Sequence, residues 1–141
     1  MLKGVPSVIS PELLKILAQM GHGDELVICD ANCPAMQFNK NCLWCSVDSA
    51  PGLMDAVLQL LPLDTYEKPV YMMEKVPGDE HIPADNWDEY HAVLAKHTDE
   101  TPVHMERFAF YEKMRTAAAA VITADVRPYG NIIIKKGVFS D

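Results

Sequence analysis

Short apolar runs without alternation constrain this chain more than any other feature. Leu26-Val27-Ile28-Cys29 carries no polar residue at either parity, and Ile132-Ile133-Ile134 repeats the pattern far along the sequence. A strand that is apolar on both faces must be covered on both, which predicts a sheet sandwiched between helices. Further strands are expected over residues 43–47, 70–76, 103–106, 118–123 and 132–136. Helical periodicity fills the gaps between them. Over residues 11–20, Leu13, Leu14, Ile16, Leu17 and Met20 make one apolar side, with Ser10 as cap and Pro11 in the first turn. Asp48 or Ser49 can cap a second helix that carries Pro51 in its first turn and Leu53, Met54, Val57, Leu58 and Leu61 on its buried face. Pro83 and Asp85 introduce a third, through about residue 96. Residues 107–115 form a fourth, where Arg107, Phe110, Tyr111 and Met114 share a face.

Strands alternating with helices point to an α/β fold: a single compact three-layer domain with a central sheet, spanning residues 1–141. At 141 residues one core suffices, and no repeat, linker or low-complexity tail divides it. The formal charge of -8 excludes a general nucleic-acid binder, which needs a basic surface to neutralise phosphate. No run approaches the length of a membrane span. The opening Met1-Leu2-Lys3-Gly4-Val5-Pro6 has no apolar core of a secretory signal. All four cysteines fall between positions 29 and 45, unlike the spread of a secreted disulfide scaffold, so a cytoplasmic protein with free thiols is expected. Cys42-Leu-Trp-Cys45 has the spacing of a zinc or redox pair, but it enters a strand rather than a helix and lacks a matching second pair. These are read as ordinary thiols, and no metal site is expected.

Four places can carry chemistry. Gly21-His22-Gly23-Asp24 flanks an imidazole with two glycines just before a strand, where it can exchange protons or simply close a helix. Asp30 follows that strand, at the kind of sheet edge where ligands gather in open α/β folds. Asp64 lies in the Leu63-Asp-Thr-Tyr66 turn. Arg107 and Tyr111 lie one helical turn apart, able to bind ligand hydroxyls or to rim an aromatic packing face. Tyr129-Gly130-Asn131 follows Arg127-Pro128 and offers a phenol and an amide beside a glycine that permits close approach.

Taken together these residues resemble the L-fucose mutarotase branch of the family that also contains the D-ribose pyranase branch. The resemblance runs through Leu2-Lys3, Ile9-Ser-Pro-Glu-Leu-Leu14, Met20-Gly-His-Gly-Asp-Glu25, Leu63-Asp-Thr-Tyr66, Arg107-Phe-Ala-Phe-Tyr-Glu112, Tyr129-Gly-Asn131 and Lys135-Lys-Gly-Val138. It implies a D-ribose pyranase-like fold, a ring-like homodecamer with pockets at subunit contacts, and cofactor-free interconversion of the anomers of a free monosaccharide. It implies catalytic roles for His22, Tyr111, Tyr129 and Asn131, and sugar-binding roles for Asp30, Arg107, Asp64 and Met73. Pyranose–furanose exchange of D-ribose and non-catalytic sugar binding are the alternatives. One segment departs from the family pattern: Ser46-Val-Asp-Ser49 followed by Ala50-Pro51 replaces an Arg-Ala-Asp-Gly-like stretch, which bears on substrate preference or subunit contacts.

Overall fold

The structure, a computed structural model, describes residues 1–141. Eleven elements follow one another: α1 (Pro11–Gln19), β1 (Glu25–Cys29), α2 (Ala35–Phe38), β2 (Cys42–Cys45), α3 (Ala50–Leu58), β3 (Val70–Met73), α4 (Trp87–Leu94), β4 (Val103–Met105), α5 (Arg107–Arg115), β5 (Ala119–Thr123) and β6 (Ile132–Lys135). One six-stranded sheet has the order β2-β5-β1-β6-β3-β4. β1 pairs parallel with β5, β5 with β2, and β3 with β4, while β6 runs antiparallel to both β1 and β3. Five strands therefore point one way and β6 alone points back.

The unbroken apolar runs do what was expected of them. Every residue of β1 and β6 is buried. Alternate side chains go to opposite faces. Leu26, Ile28, Ile132 and Ile134 meet α1, α3 and α4 on one face, in a cluster with Leu13, Leu53 and Tyr90. Val27, Cys29 and Ile133 meet α5 on the other, with Phe110 and Met114. The three-layer α/β architecture follows.

Helix boundaries follow the capping chemistry. Ser10 Oγ accepts from Leu13 N at 3.1 Å, and Pro11 occupies the first turn of α1. Ser49 rather than Asp48 caps α3, accepting from Gly52 N at 3.0 Å. Several elements are shorter than their apolar patterns. β3 stops at Met73, and α4 begins at Trp87, leaving Pro83 and Asp85 in the loop before it. α3 ends at Leu58, although Leu61 remains buried beyond it. The short α2 gives no periodic signal and was not anticipated.

The Cys42–Cys45 pair forms the whole of edge strand β2, and all four cysteines are free thiols. Successive side chains on a strand point apart, so the two thiols leave β2 in different surroundings. Cys42 Sγ donates to Asn39 O at 3.1 Å, while Cys45 Sγ faces Val8 O at 3.9 Å.

Candidate functional site

Because five strands run in parallel, their carboxyl ends share one sheet edge, and β6 enters at that same edge. Asp30 leaves β1 there, Met73 ends β3 there, and Tyr129-Gly130-Asn131 leads into β6 there. A cleft of about 340 Å³ opens among Asp30, Met73, Asp79, Tyr111, Tyr129 and Asn131, with Cys33 at its wall. That volume lies at the lower end for small-ligand pockets and suits a monosaccharide. A larger hollow of about 490 Å³, between the first residues and β2, holds no titratable side chain except Cys45. The departing Ser46-Val47 lines that second hollow, and no residue of the departing stretch lines the cleft of the single chain.

The late turn is held from several sides. Gly130 N donates to Asp30 Oδ2 at 3.1 Å, Tyr90 Oη donates to Gly130 O at 2.6 Å, and Trp87 Nε1 donates to Tyr129 O at 2.7 Å. A Cβ on residue 130 would lie 2.3 Å from Asn86 Nδ2 and 3.2 Å from Asp30 Cβ, so any larger residue must displace the Asn86 side chain. Tyr129 itself takes φ 58, a left-handed conformation that is uncommon for a bulky residue and that the Trp87 and Tyr90 hydrogen bonds to the turn hold in place. Asn131 is tied in the reverse direction: its Oδ1 accepts from Asp30 N at 2.9 Å.

Asp30 is 4% exposed, and burial raises its pKa despite hydrogen bonds from Asn32, Gly130 and Cys33 amides. Burial also raises the phenols of Tyr111 and Tyr129, with Cys33 adding at Tyr111 and a hydrogen bond to Asp79 adding at Tyr129. Arg107 stands near enough to both phenols for its charge to oppose these rises. Its Nε is buried without a protein partner, and its guanidinium lies 4.6 Å from the Phe108 ring. Tyr111 is fixed by stacking on Phe38 at 4.4 Å. These groups form a half-buried cluster of donors and acceptors able to bind hydroxyls and move protons.

His22 and Asp64 are elsewhere. His22 precedes β1, at the opposite sheet edge from Asp30, and the length of β1 alone puts roughly 13 Å between those edges. There His22 Nε2 meets Asp64 Oδ1 at 2.9 Å. Asp64 is almost wholly buried, and its oxygens also accept from the amides of Thr65, Tyr66 and Glu67. Burial would raise its pKa, but the Tyr66, His22 and Glu67 hydrogen bonds prevail and lower it. An ionised carboxylate only accepts, so Nε2 carries the hydrogen and Nδ1 is left for proton exchange. The imidazole is 43% exposed and leans on the exposed ring of Tyr66 at 4.9 Å. The eight expected residues thus form two groups: His22 with Asp64 at one sheet edge, and Asp30, Met73, Arg107, Tyr111, Tyr129 and Asn131 at the other.

Asp79 was missed. It follows Pro77-Gly78, which reads as an ordinary turn, and no periodicity points from there to the cleft. Its carboxylate accepts from Tyr129 Oη at 2.6 Å.

Known proteins place this geometry in context. The chain matches the model of the RbsD / FucU transport protein family over residues 3–139. A protein named fucose mutarotase from Danio rerio is 46% identical over 143 residues, covering 97% of this chain and 94% of that one. The crystal structure of FucU from Bifidobacterium longum superposes with TM-score 0.93 at 39% identity, covering 98% of this chain and 100% of the other. The structure of the fucose mutarotase from Streptococcus pneumoniae, in complex with L-fucose, superposes with TM-score 0.91 at 40% identity over 99% and 100% of the two chains. RbsD from Bacillus subtilis shares the fold at TM-score 0.75 with 19% identity over 99% of this chain and 100% of the other. With the family match covering nearly its whole length and the fold shared throughout, the chain belongs to the RbsD / FucU family.

Proposed function

We propose that this protein is an L-fucose mutarotase, interconverting the α and β anomers of the free sugar by acid–base ring opening and reclosure without a cofactor. The observation that carries this reading is the carboxylate–phenol–amide cleft at the strand ends, in a chain 40% identical over nearly its full length to a fucose mutarotase crystallised with L-fucose. Opening a cyclic hemiacetal needs a base at the anomeric hydroxyl and an acid at the ring oxygen. Asp30 and Asn131 in the cleft, and Arg107 beside its phenols, are suited to hold hydroxyls, Met73 offers an apolar wall, and Tyr111 and Tyr129 line the cleft with phenols that can exchange protons. Rotation about C1–C2 of the open aldehyde and reclosure then give the other anomer.

His22 completes this chemistry only from a second copy, because its own cleft lies across the sheet. Apolar side chains beside both halves support such sharing: Tyr66 next to His22, and Phe108 next to Arg107, are largely exposed in the single chain. We therefore place the site between subunits of a homo-oligomer, a decameric ring by family resemblance, with His22 Nδ1 of one copy facing the cleft of the next. A reducing, cytoplasmic setting is part of the proposal, supported by four free thiols.

Saturation-transfer NMR of L-fucose, D-ribose and D-galactose tests the function. Accelerated α/β exchange of L-fucose, lost in a folded His22→Ala protein, is expected; pyranose–furanose exchange of ribose as the main activity refutes the assignment. Co-expressed His22→Ala and Tyr129→Phe chains test the sharing. In a closed ring of randomly mixed copies, about one quarter of the sites carry both native residues, so about a quarter of the activity returns. Silence from the mixture places His22 and Tyr129 in the same chain's site.

A further inference from the structure

Tyr129 is hydrogen-bonded on two sides before any sugar arrives. Its phenol donates to Asp79 Oδ2 at 2.6 Å and accepts from Val76 N at 3.1 Å. A phenol has one proton to give. With that proton directed at Asp79 and Val76 filling part of the acceptor capacity, the oxygen can only accept from the cleft. Asp79 also lines the cleft and has no cationic partner. Its loop is tied by Asp79 N to Val76 O at 3.0 Å and Ile82 N to Asp79 O at 2.9 Å, after Gly78 at φ 99. The Tyr129 backbone is fixed independently by Trp87. A carboxylate and a phenol held on separate loops, meeting at a short contact, is a built arrangement.

We propose that Asp79 is the positioning residue that makes Tyr129 a base: it holds the phenol's proton away from the cleft and receives it when Tyr129 takes the proton of the anomeric hydroxyl. This rests on the mutarotase reading above. In ring opening, the O1–H proton bonds to Tyr129 Oη as the phenol's own proton passes to Asp79 Oδ2. The electron pair left on O1 forms the second C1–O1 bond. The C1–ring-oxygen bond breaks, and its pair takes a proton delivered by the His22 ring of the neighbouring copy. Closure on the other face returns each proton along the same path, so no oxidant, reductant or cofactor enters. The raised pKa of Tyr129, due to burial and then to Asp79, fits a phenol kept neutral between turnovers. Arg107 opposes that rise, and Asp30, Cys33 and Tyr111 are the other titratable groups that line the cleft with Tyr129 and Asp79.

Asp79→Asn is the test, with Asp79→Glu as the conservative partner. An asparagine of the same size can still accept the phenol's hydrogen bond through Oδ1, but it carries no charge and cannot take up the proton. Expected are a fall in L-fucose exchange of about a hundredfold or more, as for loss of a positioned general base, with sugar affinity within about threefold. Asp79→Glu regains part of the rate. Ultraviolet difference titration, with Tyr129→Phe to identify the signal, is expected to show Tyr129 ionising at lower pH in Asp79→Asn. Near-parental exchange in Asp79→Asn beside an active parent overturns the inference, as does an unmoved Tyr129 titration. If Asp79→Asn folds poorly, Asp79→Ala, which reaches no phenol, carries the same rate and titration tests. A parent that exchanges no sugar anomers refutes the mutarotase reading and this inference with it, whereas an active parent with an indifferent Asp79 refutes this inference alone.

Discussion

Asp30→Asn separates binding chemistry from stability at one position. The carboxylate accepts from Asn32 N at 2.9 Å through Oδ1 and from Gly130 N at 3.1 Å through Oδ2. An asparagine keeps one of these acceptors and turns an NH2 toward the other amide. Losing one acceptor and leaving a buried donor unsatisfied costs about 1–2 kcal/mol, at any pH. The second effect has the opposite sign. Burial raises the Asp30 pKa in the folded chain, against the Asn32, Gly130 and Cys33 hydrogen bonds that lower it. A raised carboxylate pKa means that the folded chain binds the proton more tightly than the unfolded chain. Stability contributed by this group is therefore full below the unfolded value of about 3.9 and falls as pH rises through the folded pKa. The parent carries this penalty near neutrality and the asparagine variant does not.

The difference between the two proteins must then depend on pH. Near pH 4 the variant should be less stable by about 1–2 kcal/mol, and the deficit should shrink as pH rises toward 8. Other carboxylates are common to both proteins and cancel in the difference. Urea unfolding at fixed protein concentration, repeated across that range, measures it, with concentration held because an oligomer's stability depends on it. L-Fucose exchange should fall at every pH at which both proteins are folded. A deficit constant in pH, or one that widens on going alkaline, refutes the claim that Asp30 is kept charged at a cost. Unchanged exchange refutes its place in the sugar site.

Gly137→Ala should unsettle the other half-site, because its Cβ would lie 2.4 Å from Leu63 O and 3.0 Å from Asp64 Cα. Both are backbone atoms that cannot step aside, so a loss of about 1–3 kcal/mol in urea unfolding is expected. Exchange should fall further than stability does as His22 follows Asp64, and a fully stable, fully active variant contradicts the packing argument. Cys42→Ser and Cys45→Ser should leave L-fucose exchange within about twofold of the parent, since neither thiol reaches the cleft and general acid–base catalysis loses far more when a participant is removed. A larger loss in either variant, or zinc retained by the parent and released by the variant, reopens the pair as a functional site.

The layers were legible because they rest on local rules. Unbroken apolar runs in β1 and β6 demanded cover on two faces, and Ser10-Pro11 and Ser49 marked helix starts through the amides they satisfy. The reversal of β6 was not legible, because a strand apolar on both faces has the same pattern in either direction. Asp79 was not legible either, since its role comes from a contact with a residue 50 positions away. The separation of His22 from Asp30, by contrast, follows from the length of β1. His22 and Asp30 bracket a strand, and an extended segment holds its two ends apart by roughly 3.3 Å per residue. Neighbours in sequence on either side of a strand are therefore kept out of one pocket. If both act on one sugar, a second copy must supply one of them. The charge of -8 makes that copying costly unless the contact itself is apolar, and the exposed rings of Tyr66 and Phe108 stand beside the two groups that the proposal brings together.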